Sequence, residues 1–429
     1  MRPFARAIRG YPGAVALSPT DKRIRSVRRR LYAAWGLLFF NTMTYVPGIS
    51  MLHLPAKVGK AFPQAALPLA ILVLLTVNPK VKLRPNVFLC IVSLLAAETM
   101  FTAVEVHHLG TAYRTFRLAE FVAALWLLTP WWGRDDMLLL RVHLRWLYVV
   151  LTVVLVGLVI SPGRALSYNG RLTGVLWPMM PTQIAQYAAV AAGLTVVLWL
   201  DHRVSGRATL AGVAATVVIL LLSHTRTALV GLATGILIAI LSLFLINSRA
   251  RRFFVVVAVA MCAGALTLAG IVTTWLVRGQ SVEGLTSLTG RTDFWALVLN
   301  LPRTRFEEIF GFGLSNASIN GLPIDSNWLS AYLQEGLAGV VICAAILVFL
   351  ILAAFFQSSG VRRALALFIL AYCLLASFTE DSFSDASSYL LYLAVAASLI
   401  MAVRPRPSAA PAAGSKRVPA PAELAGVDR

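Results

Sequence analysis

Apolar runs long enough to cross a bilayer recur almost from end to end of the chain. They cover residues 31–50, 62–78, 85–104, 115–132, 142–161, 181–200, 207–223, 226–246, 253–276, 328–356, 362–379 and 384–403, which predicts about twelve helices and no sheet. Pro47 and Gly48 interrupt the first run, Arg117 and Glu120 fall inside the fourth, and the tenth starts as an exposed turn before entering the bilayer. One long polar excursion stands apart, at about residues 284–339. It holds Arg291, Asp293, Arg303, Arg305, Glu307, Glu308 and Asp325. In a chain that is otherwise lipid-like, polar chemistry has few other places to be.

Charge adds an orientation. Basic residues fill the leading segment (Arg2 to Arg30) and the loops after even-numbered runs: Lys80, Lys82 and Arg84, then Arg134 and Arg141, Arg203 and Arg207, Arg249 to Arg252, and Arg362 and Arg363. The positive-inside rule then puts both termini in the cytoplasm and residues 277–327 on the opposite face. The predicted organisation is a basic cytoplasmic segment 1–30, a transmembrane domain 31–403 and a cytoplasmic tail 404–429. That tail is Pro/Ala-rich and too poor in apolar residues to build a core.

Composition supports the membrane reading: 59% hydrophobic, 13% charged, mean hydropathy +0.78. A net charge of +20 would suggest nucleic acid in a soluble protein, but its confinement to alternate loops argues against that partner. Cys90, Cys262, Cys343 and Cys373 each sit in an apolar run, as small buried hydrophobes do, with no metal-ligand or disulfide spacing. The polar N-terminus lacks a cleavable signal pattern.

Even-numbered runs enter from the outer face, so the positive ends of their dipoles point outward. Arg171 and Gln183 fall at the start of the sixth, His224 and Arg226 at the eighth, Asp325, Ser326 and Asn327 at the tenth, and Glu380, Asp381 and Asp385 before the twelfth. Arginines beside helix N-termini suit a polyanion such as a diphosphate. Plainer roles stay open. Arg226 fits a snorkelling interface residue, Arg171 a solvated loop residue, Arg291 an anchor for a surface helix, Asp325 an N-cap, and Arg117–Glu120 an internal ion pair. His224 and the His107–His108 pair read as bystanders.

Four patches together resemble the O-antigen ligase and O-antigen polymerase (Wzy-type) superfamily. They are RLTG with its Pro–polar turn (171–183), T-R-T-A-L (225–229), G-R-T-D-F-W (290–295) and GFGLSN…IDSNWLSAYLQEGLAG (311–339). The resemblance covers roughly residues 165–400. It implies a GT-C-like, polytopic all-α fold with a large extracytoplasmic loop before the tenth helix. It also implies a metal-independent, cofactor-free, inverting glycosyltransferase of the cell membrane. Such an enzyme takes a glycan from a polyprenyl (undecaprenyl) diphosphate carrier to an acceptor hydroxyl on a glycan or lipid, beside other polysaccharide-assembly proteins. On this reading Arg171, Arg226 and Arg291 hold the diphosphate, Arg226 also acts in catalysis, and Asp325 is the base. His224, Asn327, Glu380 and Asp381 are further candidates.

Ligases of the superfamily carry His where Asp325 stands, and Glu335 falls one place off that register. Asp looks more like the polymerase branch. Two other classes share the composition: a flippase for polyprenyl-linked glycans, and a non-catalytic subunit of a polysaccharide export complex. A transporter places its charges along a midplane path, whereas most of those here sit at outer helix ends.

Overall fold

The computed structural model describes residues 19–51, 54–134, 136–267, 270, 291–315, 318–319, 322–380 and 383–401. The tail 404–429, residues 1–18 and most of 268–290 therefore lie outside the described residues.

The described chain is almost entirely helical. Its longer helices are α1 (Pro19–Asn41), α2 (Ala56–Val77), α3 (Val87–Val106), α4 (Leu109–Leu128), α5 (Leu138–Ile160), α7 (Pro181–Leu200), α8 (Gly206–Ser223), α9 (Arg226–Leu243), α10 (Ser248–Thr267), α13 (Asn327–Phe356), α14 (Val361–Ala376) and α15 (Ser388–Ile400). Short helices α6 (Pro162–Ala165), α11 (Arg291–Leu299) and α12 (Arg305–Phe310), and a two-residue hairpin of β1 (Ser318–Ile319) with β2 (Leu322–Pro323), make up the rest named here. Seven helices among the described residues (α2, α3, α5, α7, α8, α9 and α13) are long and apolar enough to cross a membrane. The protein is a multi-pass helical membrane protein.

The centre of the bundle is α7, whose apolar window is 94% buried where the other six candidate spans are buried for half or less. Beside it, α14 drives rings into positions that lack a side chain: Phe368 against Gly193 and Gly235, and Tyr372 against Gly231. Lipid is as apolar as leucine, so close packing of this kind, rather than escape from water, holds membrane helices together. Polar pairs add cross-links: Trp35 Nε1 donates to His143 Nδ1 at 3.3 Å, Tyr148 and Thr195 share a hydroxyl bond at 2.7 Å, and Gln186 Nε2 donates to Ser388 Oγ at 3.0 Å. The outer surface exposes large apolar residues such as Leu109, Val159 and Leu245, as lipid contact requires. Cys343 and Cys373 are buried, but Cys90 and Cys262 join that exposed surface, contrary to the expected burial.

Element ends depart from the sequence reading in two places. The basic segment is already helical at Pro19, where the described residues begin, in keeping with arginine as a good helix former, and Arg28 pairs with Asp136 at 2.9 Å. The first helix also stops at Asn41 instead of residue 50. Residues 44–51 turn back onto the segment before α7, with Val46 N donating to Pro178 O at 2.9 Å and Met51 N to Val175 O at 3.0 Å.

The polar excursion is built rather than loose where it is described. Thr304 and Glu307 form a capping box on α12, which gives Glu307 a structural role. Arg303 donates to Tyr332 O at 2.9 Å and to Val298 O at 3.3 Å and stacks 4.0 Å from the Tyr332 ring, pinning α11 and α12 to α13.

Candidate functional site

Three breaks in the helical pattern meet at one end of the bundle. The first is the connection into α7. Asn169 and Gly170 take left-handed conformations (φ 52° and 69°) and make a tight turn that pairs Tyr168 with Arg171. Leu172 N then donates to Leu222 O at 2.9 Å, which ties this turn to the end of α8.

The second break is the α8–α9 junction. His224 ends α8 in a left-handed conformation, and α9 begins at Arg226. Arg171 bridges the junction: Nε donates to Ser223 O at 2.9 Å and Nη2 to Thr225 Oγ1 at 3.1 Å. Thr225 is the N-cap residue of α9 but makes no capping bond to it. Its hydroxyl instead accepts from Arg171 and donates to Ser223 O at 3.3 Å. Arg171 and Arg226 are thereby held on either side of one threonine. Burial pulls the pKa of Arg171 below the usual arginine value, opposed by Tyr168 and Glu380, so Glu380 lies within electrostatic reach of that guanidinium. An arginine still stays charged under such a shift.

The third break is the segment joining α14 to α15, and it connects everything else. Thr379 shares a hydroxyl bond with Thr227 on the first turn of α9 at 2.8 Å. Ser377 O accepts from Asn327 N at 2.9 Å, Ser377 Oγ accepts from Trp328 Nε1 at 3.0 Å, and Asn327 Oδ1 accepts from Phe383 N at 2.6 Å. Asp385 Oδ2 meets Arg114 Nη1 of α4 at 3.5 Å. One short segment thus binds the starts of α4, α9 and α13.

This arrangement corrects the expected cap. The N-cap of α13 is Ser326, not Asp325, and it makes no side-chain capping bond. The 377–383 segment satisfies that helix end through Asn327 instead. Asp325 stands one residue outside the helix, half-buried, and so is not explained as an N-cap. Gln183 is corrected too. Its Oε1 accepts from Thr44 N (3.0 Å) and Thr44 Oγ1 (2.7 Å), and its Nε2 donates to Thr42 O (2.8 Å), so it anchors the chain after α1. Arg117 acts electrostatically on Glu120 but makes no direct ion-pair contact with it among the described residues; Arg117 Nη2 reaches across to Asn41 Oδ1 at 3.3 Å.

Of the remaining candidates, Arg291 opens α11, but its side chain lies outside the described residues, as does Asp381. Sequence reasoning missed Thr225, Thr227, Ser377, Thr379 and Arg114. Hydroxyl residues near helix ends are too common to signal a junction, and Arg114 sits in a hydrophobic helix without a motif.

What the assembly offers chemically is two guanidinium groups next to an uncapped helix start, a carboxylate within electrostatic reach, and a second carboxylate two residues before the tethered Asn327. That set suits an anion with two or more phosphate oxygens beside a proton acceptor. The chain matches no protein-family model and no curated protein.

Proposed function

We propose that the protein is a membrane glycosyltransferase of the O-antigen ligase and polymerase type. It moves a glycan from a polyprenyl diphosphate to an acceptor hydroxyl on the extracytoplasmic face of the cell membrane. The observation that carries this reading is Arg171 braced across the α8–α9 junction beside Arg226, tied through Thr227–Thr379 to the segment that holds Asn327. In this proposal all twelve long helices cross the bilayer, and both termini are cytoplasmic.

The chemistry follows from the groups present. Arg226 and Arg171 bind the diphosphate, and their fixed charge stabilises the negative charge that grows on it as the glycosidic C–O bond breaks. The start of α9 adds its dipole to the same end. Asp325 takes the proton of the acceptor hydroxyl as its oxygen attacks the anomeric carbon. Arg291 joins the diphosphate site from α11. No step needs a metal, since the arginines supply the positive charge.

Transfer from a polyprenyl-diphosphate glycan by the purified, reconstituted protein tests the proposal. Transfer in the presence of EDTA is expected. Transfer abolished by EDTA and restored by a divalent cation would remove the arginine-only mechanism.

A further inference from the structure

Glu98 falls in the middle of α3, one of the helices apolar enough to span the membrane, and is only 8% exposed. A carboxylate at such a place is costly unless a positive partner meets it, so an acidic residue inside a span marks a site. Among the described residues no Lys or Arg pairs with Glu98. Its Oε2 is buried with no hydrogen-bond partner there.

Thr102, one turn further along α3, gathers acceptors around this carboxylate. Its Oγ1 lies 3.2 Å from Glu98 O, 3.2 Å from Glu98 Oε1 and 3.2 Å from Phe310 O, the last carbonyl of α12. A threonine hydroxyl has one hydrogen to give. Leaving aside Glu98 O, which serves the backbone ladder of α3, four oxygens remain: Glu98 Oε1 and Oε2, Thr102 Oγ1 and Phe310 O. One hydrogen among four oxygens, one of them charged, leaves the cluster short of positive charge.

The elements that carry these oxygens are fixed against one another. The Phe101 ring of α3 meets Phe310 at a centroid distance of 5.1 Å and Phe306 at 6.0 Å, which seats α12 on α3. Gly336 of α13 lies against the backbone of Ile309 and Phe310. Just beyond, Phe312 N and Gly313 N donate to Leu333 O and Gln334 O of α13. The oxygen cluster therefore sits where the polar loop is fastened to two long helices.

We propose that Glu98, Thr102 and the Phe310 carbonyl bind a sodium ion, which clamps α12, and with it the polar loop, to α3. A monovalent ion matches the single charge of the Glu98 carboxylate. Carboxylate, hydroxyl and a carbonyl at a helix C-terminus are hard oxygen ligands of the kind that hold Na+ inside membrane proteins, whereas a proton would bridge only two of the four oxygens. The ion serves packing, so the inference stands whether or not the protein is a transferase.

The test compares the purified protein in sodium chloride and in choline chloride at equal ionic strength and fixed pH. Radioactive sodium should bind saturably, and the midpoint of thermal unfolding should rise with Na+ but not with choline. Amide exchange at Phe312 and Gly313 should slow in Na+. Glu98→Gln, which keeps the side-chain size and an acceptor for Thr102, should lose the sodium binding and the midpoint shift. Thr102→Val should lose them as well, and Thr102→Ser should keep them. No saturable sodium binding by the wild type, or undiminished binding in Glu98→Gln or Thr102→Val, would overturn the site. A midpoint that follows pH but is indifferent to Na+ would overturn the sodium assignment in favour of a proton on Glu98.

Discussion

Gly311 and Gly336 lie backbone against backbone. A Cβ on Gly311 would overlap the backbone of Gln334 and Glu335, and one on Gly336 would overlap that of Ile309 and Phe310. Gly336 takes φ 63°, ψ −159° inside α13 and breaks its hydrogen-bond ladder. The carbonyls freed by the break accept from the segment after α12 instead: Leu333 O from Phe312 N at 3.0 Å and Gln334 O from Gly313 N at 2.7 Å. The polar loop is thereby locked to the helix that follows Asp325.

Gly336→Ala meets both obstacles, a left-handed backbone and a filled space. We expect a stability loss of about 2 kcal/mol or more, seen as a lower midpoint of thermal unfolding in detergent. An unchanged midpoint would mean that the loop is not locked at this position.

Arg226 separates charge from geometry. Lysine keeps the charge but not the planar two-pronged donor, so Arg226→Lys should fold and express normally. Its transfer rate should fall by about 10- to 100-fold, roughly 1–3 kcal/mol of transition-state stabilisation. Arg171→Ala should differ, because it also removes two hydrogen bonds across the α8–α9 junction and should lower thermal stability as well as activity. Equal stability in the two variants would remove the bracing role of Arg171.

Asp325 is tested by the amide. With Ser326 as the N-cap, Asp325→Asn changes neither the cap nor the side-chain volume. A base reading requires a rate loss of about 100-fold or more, with the unfolding midpoint kept. Asp325→His should keep partial activity, since imidazole also accepts a proton. Full activity in Asp325→Asn would move the base to Glu380, Asp381 or His224.

Orientation rests on the arginine and lysine pattern alone and is open to direct labelling. Ser318 is exposed in the hairpin of the polar loop. Ser318→Cys should react with an impermeant maleimide in intact cells, after the native cysteines are replaced. Labelling only after lysis would reverse the topology and move the site to the cytoplasm.

The positions of the helices were legible because lipid demands apolar runs of about 20 residues and leaves little freedom in where they fall. Their ends were less so. α1 is helical back to Pro19, where the described residues begin, with Arg28 paired to Asp136, and it stops at Asn41, where Gln183 holds Thr42 and Thr44, two partnerships more than 100 residues apart in sequence. Helix alternation sufficed to bring Arg171 near Arg226, since both stand at the entry to helices, α7 and α9, that start at the same end of the bundle, where Arg171 Nη2 reaches Thr225 Oγ1. The roles of Asp325 and Gln183 were not legible, since local sequence makes one an obvious cap and the other a site residue. Tertiary hydrogen bonds at Asn327, which accepts from Phe383 N and donates to Ser377 O, and from Thr44 to Gln183 set the start of α13 and the partner of Gln183 instead. Arg114 went unnoticed because its partner, Asp385, lies 271 residues away.

The central claim is that the protein consumes a polyprenyl-diphosphate glycan on the outer face of the membrane. The most direct measurement is mass spectrometry of lipid-linked glycans in cells that lack the protein, combined with digestion by an impermeant glycosidase. The account predicts that polyprenyl-diphosphate glycan accumulates, that the enzyme reaches it from outside, and that wild-type protein but not Arg226→Ala clears it. Single repeat units would mark a polymerase, and full-length chains a ligase. Accumulation on the inner face, shielded from the glycosidase until lysis, would contradict the account and identify a flippase.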